Sequence, residues 1–417
     1  MSATAAPVRA AAAAATSVTG ALAATPRPLP GSPSTRPALP LQTASLERTA
    51  PQPSPVDLLG AVNRIVDAEL KPLTVAIDRE GLYPKTVMHS LGAAGAFRAH
   101  LAAARDDGLH DMGTAIQAMA AVSQECLSTG FAVWCQDTCA WYLQMAANPE
   151  VRERWLPRLA SGEVLGGTGM SNTMKAYSSI EDLRLQGRRV PGGYIVNGNL
   201  PWVSNLGDDH VFGTLFTLDG ATKRTVMALI DCRSPGFTLR RSAHFTALEG
   251  TQTFACLFDE VFVPDTNVID EDGAGFLRRA RAGIVLLQFG MGIGNIQGCI
   301  DVARAAEPLL GHVNQYLDDR PDELQQALDD AAEAVLALAE DPYDTDPDIF
   351  REILALRLAA SELALRASQS AMLHCGAKGY LSAAPAQRKL RESYFVAIVT
   401  PAIKHLRKEL AAMDAYC

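Results

Sequence analysis

Apolar positions recur at three- and four-residue steps through the first part of the chain. Leu58, Val62, Ile65, Val66 and Leu70 fall on one face, which predicts an amphipathic helix. Gly81 and Pro84 interrupt that region, and Gly108 breaks the next. Residues 112–147 form a long, mostly apolar run, which predicts a buried pair of helices broken near Gly130. From residue 165 to about 269 the period changes. Short β-branched runs at 193–198, 210–216 and 225–230 are separated by Gly, Asn, Asp and Pro, with no helical stretch between them. That is the pattern of an antiparallel sheet or barrel. From residue 276 to 417 the pattern is helical again. The order predicts a mainly α fold with a central β domain: a helical domain over 56–164, a β domain over 165–275 and a C-terminal helical domain over 276–417.

Residues 1–55 are different. They hold 10 of the 24 prolines, an alanine run and only five charged residues, Arg9, Arg27, Arg36, Glu47 and Arg48. Such a stretch buries too little apolar surface to offset its ordering entropy, so a disordered extension and a cytoplasmic protein are expected. An Arg-bearing, Ser-rich, acid-poor segment is also what an organelle-targeting peptide looks like, and Ala21-Leu22-Ala23 after the alanines would suit a secretory signal.

Charge and cysteine usage narrow the classes. With 37 basic and 46 acidic side chains the net charge is −9, which disfavours a nucleic-acid binder that works by neutralising phosphates. Apolar runs are interrupted before 18 residues, so no membrane span is expected. Eight cysteines without a C-x-x-C pair suggest neither a disulfide scaffold nor a metal site, and Cys126, Cys135 and Cys139 are expected to pack. Residues 312–349 carry twelve acids and one base, Arg320. Leu324, Leu328, Val335 and Leu338 form their one apolar stripe, as on a solvated surface helix. Gly290-Met291-Gly292-Ile293-Gly294 looks like a dinucleotide loop, but the sixth position is Asn295 and the segment sits in a helical pattern. Gly290, Gly294 and Gly298 recur every four positions, which predicts a close helix–helix approach instead.

Several segments resemble the acyl-CoA dehydrogenase family of flavoproteins over roughly residues 56–417. They are Trp155-Leu156-Pro157 with Ser161-Gly162-Glu163, the stretch 193–198 leading to Trp202-Val203-Ser204-Asn205, and Phe258-Asp259-Glu260-Val261-Phe262-Val263-Pro264 with Asn267-Val268. Near the end, Gly376-Ala377-Lys378-Gly379-Tyr380 and Arg388-Lys389-Leu390-Arg391-Glu392 are similar to its G-G-x-G-[FY] and R-x-x-R-D. The resemblance implies a C-terminal four-helix bundle, a homo-oligomer (dimer or tetramer), and FAD, or else FMN, between the β domain and the bundle. Trp202 would stack on the flavin. Ser204, the backbone around Ser171, and Gly376 and Ala377 would give it polar contacts.

The chain also departs from the family. The glutamate that takes a proton from the acyl thioester follows R-x-x-R-D in most members. That place is Thr400 here, and a hydroxyl is too weak a base for the task. Some members draw the base from the helix that opens the C-terminal domain, which reads Gly283-Ile284-Val285-Leu286-Leu287 here. The family's T-E-P-x-x-G-S-D becomes Ser171-Asn172-Thr173-Met174-Lys175, and its R-x-x-F-G, which helps hold the FAD pyrophosphate, is not visible. Glu249 in Leu248-Glu249-Gly250-Thr251 is a candidate relocated base, or else a structural ion-pair partner. Three functions are compatible. The first is an oxidoreductase acting on an acyl thioester, with an electron-transfer partner. The second is a flavin monooxygenase of the same fold fed by a reductase, in which His374 would hydrogen-bond the oxygen-reactive flavin. The third is a non-catalytic relative.

Overall fold

The first helix starts where its cap is. The Ser54 hydroxyl accepts the Asp57 N–H, and Pro55 occupies the first turn, where a missing N–H costs nothing. The computed structural model describes residues 54–415 apart from 106–107, 219–223 and 242. The expected disorder or targeting role of the N-terminal extension therefore lies outside the described residues, save for its last two.

Helix α1 (Pro55–Ile65) buries Leu58 and Val62. Helix α2 (Thr74–Glu80) ends at Gly81, whose φ of 68° is left-handed and suits glycine. Helices α3 (Lys85–Ala93), α4 (Met112–Glu125), α5 (Leu127–Gln144) and α6 (Pro149–Ala160) follow. The break between α4 and α5 falls at Cys126, which is extended, and not near Gly130. Gly130 lies inside α5, where a Cβ would stand 1.9 Å from the Ser123 hydroxyl oxygen. That glycine serves the α4–α5 approach and does not end a helix.

The strands are β1 (Gly166–Thr168), β2 (Leu185–Val190), β3 (Gly193–Val203), β4 (Val211–Leu218), β5 (Thr225–Asp231), β6 (Phe237–Arg240), β7 (Phe254–Pro264) and β8 (Val268–Asp270), with α7 (Met170–Tyr177) after β1. Their order in the sheet is β6-β7-β3-β2-β4-β5-β8, with β1 beside β4. The sheet is mixed and not wholly antiparallel, because β1 and β2 both run parallel to β4. The intervening α7 and β3 supply the crossovers that parallel pairs need. One irregularity matters for function. The β3–β7 register moves from Leu200 opposite Cys256 to Val203 opposite Phe254, which leaves Pro201 and Trp202 facing Ala255 alone. Such a bulge re-aims a side chain.

The sheet leads into α8 (Gly273–Asn314), α9 (Pro321–Leu338), α10 (Pro347–Cys375), α11 (Pro385–Ile398) and α12 (Ile403–Asp414). Four long helices were expected here; the short α12 is a fifth and packs on α10. A Cβ at Gly294 would lie 2.1 Å from the Ala120 carbonyl oxygen, and one at Gly298 would lie 2.5 Å from that of Gln124. The glycine repeat thus lets α8 press against α4, as its spacing predicts. By composition a window of α8 is apolar enough to cross a membrane, contrary to the sequence expectation, yet 89% of that window is buried in this fold.

Candidate functional site

The bulge in β3 turns Trp202 outward while its neighbour Val203 stays in the core. Trp202 is 58% exposed and Val203 1%. The Phe245 ring meets the indole edge-on, with centroids 6.3 Å apart. Two residues along, the buried Ser204 hydroxyl lies 2.6 Å from that of Thr253, which in turn is 2.8 Å from that of Thr251. Asn205 then ties three elements together. Its side-chain nitrogen donates to the Gly166 carbonyl at 2.7 Å and its side-chain oxygen Oδ1 accepts the Tyr83 hydroxyl at 2.6 Å. Burial pushes the Tyr83 phenol up, so it remains a neutral donor.

Glu249 stands in this neighbourhood, in the short turn Glu249–Thr251 flanked by the left-handed residues Leu248 and Gln252. Its carboxylate accepts the Phe245 N–H, and His244 Nδ1 lies 3.7 Å away. The acid thus holds the ring that abuts Trp202.

Ser171 and Thr400 form a second neighbourhood. Their hydroxyl oxygens are 2.9 Å apart. Gln288 on α8 donates to the Thr400 carbonyl at 2.8 Å, and Arg357 Nε on α10 donates to the Gln288 side-chain oxygen at 3.0 Å. Arg357 is 2% exposed and also donates to Ser361 and to the Val396 carbonyl at the end of α11. Burial lowers its guanidinium to about 10, which leaves it charged at neutral pH. Just after α7, the Ser178 hydroxyl lies 2.6 Å from His405 Nε2 on α12. The contact between α7 and the last helices is therefore made by side chains, and no acid takes part where the base was looked for.

His374, Gly376 and Ala377 form a third. His374 is fully buried, with Nδ1 2.9 Å from the Ser370 carbonyl oxygen and Nε2 3.8 Å from Glu307. Asn314, the last residue of α8, donates to the His374 carbonyl at 3.2 Å. Gly376 and Ala377 are exposed beside it. The start of α8 packs on the sheet at Leu215 and Thr225, around Gly273. Glu307 lies 34 residues further, roughly 50 Å along the helix axis. One chain gathers Trp202, Ser204 and Glu249 and pairs Ser171 with Thr400, while His374, Gly376 and Ala377 form a neighbourhood of their own.

One acid escaped the sequence reading. Asp137 lies in α5 between Trp134 and Trp141, whose indole N–H groups donate to the Ile284 and Ala280 carbonyls of α8. Asp137 is 1% exposed, and neither carboxyl oxygen has a hydrogen-bond partner among the described residues. Burial pushes its carboxyl well above the usual range, which favours the neutral form. The His100 ring lies against its backbone, with Nε2 3.0 Å from the Asp137 carbonyl oxygen, and burial lowers His100 to about 4. A lone acid in a helix buried from Leu127 to Leu143 was the available signal.

The residues around Trp202 fit a flavin ring. An exposed indole gives a stacking surface, and a row of hydroxyls lies two residues along the strand. They do not offer a diphosphate the arginine that the resemblance associates with it.

The sequence profile described as acyl-CoA dehydrogenase, N-terminal domain, matches residues 56–163. The chain is 26% identical over 347 residues to a mitochondrial isovaleryl-CoA dehydrogenase of Oryza sativa subsp. japonica, covering 80% of this chain and 84% of the relative. Its fold is similar to that of butyryl-CoA dehydrogenase from Megasphaera elsdenii, with a TM-score of 0.76 at 17% identity, over 86% of this chain and 97% of the other. It is also similar to KijD3 in complex with FMN and dTDP-3-amino-2,3,6-trideoxy-4-keto-3-methyl-D-glucose, with a TM-score of 0.72 at 20% identity, over 86% and 94%.

Proposed function

Because the chain belongs to the acyl-CoA dehydrogenase family, we propose that it is a flavin-dependent oxidoreductase acting on an acyl thioester. The observation that carries this reading is the outward-turned Trp202 beside the Ser204–Thr253–Thr251 hydroxyls. A bound flavin supplies an acceptor for two electrons and a hydrogen. The chain's own part is to stack the ring on Trp202, to hydrogen-bond its heteroatoms from Ser204, and to keep Phe245 in place through Glu249. Glu249 is the acid beside that face and is the proton acceptor in this reading. Its carboxylate would release the Phe245 N–H to take the proton. The test is anaerobic mixing of the flavin-loaded protein with a panel of acyl-CoA esters. Bleaching of the visible flavin band is expected, together with its loss in Glu249→Gln at an unchanged starting spectrum. Bleaching that persists in Glu249→Gln would remove the residue from this role.

A second reading is a monooxygenase on the same fold. It is favoured by the pairing of the Thr400 hydroxyl with Ser171 and by the absence of an acid at 283–288. In that case a reductase partner, and not an acyl ester, would bleach the flavin, and oxygen uptake would follow. A protein that stays colourless under all conditions points to the non-catalytic relative. A homo-oligomer is part of the proposal as well. Leu309, Val313 and Tyr316 make an exposed apolar row at the end of α8, and light scattering would give the copy number.

A further inference from the structure

We propose that Arg391 is a positioning residue for Glu249, holding the loop that carries the acid while its carboxylate changes partners; this rests on the proton-acceptor reading above. In the resting geometry the Glu249 carboxylate accepts the Phe245 N–H, so the acid itself closes the loop 245–249. To take a proton it must let that N–H go. The loop then keeps its shape only through contacts that do not involve the carboxylate.

Such contacts come from three sides. At the far end, the Leu248 carbonyl accepts the Thr251 hydroxyl at 2.7 Å, and the Thr251 carbonyl accepts the Asn205 N–H at 2.8 Å. On a second side, the turn is pressed against α2 and the residues after it. A Cβ at Gly250 would lie 2.7 Å from both Ile77 Cγ2 and the Leu82 carbonyl oxygen, and one at the left-handed Gly81 would lie 3.5 Å from the Glu249 Cβ. At the near end stands Arg391 of α11. Nη1 and Nη2 donate to the two Asp78 oxygens at 2.8 and 2.6 Å, and Nη1 also donates to the Thr246 carbonyl at 2.9 Å. Each terminal guanidinium nitrogen carries two hydrogens, so both bonds of Nη1 form at once. Asp78 lies in α2 shortly before Gly81. One guanidinium therefore fixes both the element beside Glu249 and the stretch of loop in front of it. The pair is bidentate and largely covered, with side chains 17% and 8% exposed, so the remaining donor points in a set direction. An ion pair that only fastened α11 to α2 would be complete without it.

The test compares wild type, Arg391→Lys, Asp78→Asn and the double variant Asp78→Leu with Arg391→Met, which removes the pair without leaving one charge buried alone. Hydrogen exchange of the flavin-free full chain is read by mass spectrometry. In the double variant the amides of 245–251 should exchange about tenfold to a hundredfold faster, the range for a lost charge-assisted hydrogen bond, while those of α4 and α5 keep their wild-type rates. Asp78→Asn keeps the donor to Thr246 and should leave the loop near its wild-type rate. In the flavin-loaded protein, bleaching by an acyl-CoA that wild type accepts should slow by about tenfold to a hundredfold in the double variant, as for a reacting group displaced by an ångström, at a similar half-saturating concentration. Arg391→Lys should recover part of both losses. Unchanged exchange at 245–251, faster exchange throughout the chain, or a loosened loop with an unaltered bleaching rate would each overturn the proposal and leave the proton-acceptor reading standing. Wild-type protein that no acyl-CoA bleaches would overturn that reading and the positioning role with it, while the exchange comparison alone still shows whether Arg391 holds the loop.

Discussion

The stripe of α5 that faces α8 and the end of β3 both hold polar groups without protein partners, yet they differ in kind. The Asp137 oxygens and the Thr138 hydroxyl of α5, and Nδ1 of His100 packed against it, are sealed in the core. At the sheet, Trp202 and Arg240 stand in solvent. A sealed group without a partner cannot carry charge cheaply, so it shifts its proton equilibrium and makes stability depend on pH. An open group is satisfied by water and is free to exchange that water for a ligand. The same feature therefore bears on folding in one place and on binding in the other.

The largest expected effect lies in the sealed region. His100 titrates at about 4 in the folded protein against an ordinary 6.5. Between those values the unfolded chain holds one more proton at His100, and stability falls as pH falls. Asp137 is shifted upward from 3.8. Above that value the folded chain holds one more proton at Asp137, and stability falls as pH rises. From about pH 4 upward the two slopes oppose, so the wild-type contribution of the pair is flatter than that of either group alone. Each slope is about 1.4 kcal/mol per pH unit. Asp137→Asn should gain stability by about 3 kcal/mol on going from pH 4 to 6.5, and His100→Gln should lose stability as the pH rises from 4. Urea denaturation of the three proteins across that window checks both directions. Parallel pH profiles would mean that the two groups are not buried and neutral as described.

A buried charge whose three nitrogens all donate behaves differently from the orphaned pair. Arg357 joins α8, α10 and α11 through Gln288, Ser361 and the Val396 carbonyl. Arg357→Met removes that cation and leaves buried acceptors without donors, at a cost of about 2 kcal/mol. The loss should appear as a lower urea midpoint with an unchanged slope.

Much of this fold was legible because periodicity reports burial. The stripe at Leu58 and Val62, the three β-branched runs and the four-residue glycine repeat each state which face meets a neighbour. The site was legible only in part. Trp202 and Ser204 stood out through their motif, and Glu249 through its place in a loop. His374 stood out through its place before a glycine motif, whereas its burial and its contacts with Ser370 and Glu307 were not legible, because they depend on how α8 and α10 pack. Asp137 was overlooked because one acid in an apolar run hardly changes the pattern, although burial changes its chemistry entirely.

The smallest effect on folding is expected on the open face. Trp202 is 58% exposed and meets Phe245 edge-on, so Trp202→Ala removes only part of the area a core indole would bury and should cost no more than about 1 kcal/mol. Binding should respond in the opposite way, because the indole is the broad surface on which a ring can stack. Riboflavin binding isolates that contribution and should lose affinity in Trp202→Ala. If Trp202→Ala instead melts several degrees lower and binds riboflavin normally, the indole is part of the core and the contrast between the two regions fails at its open end.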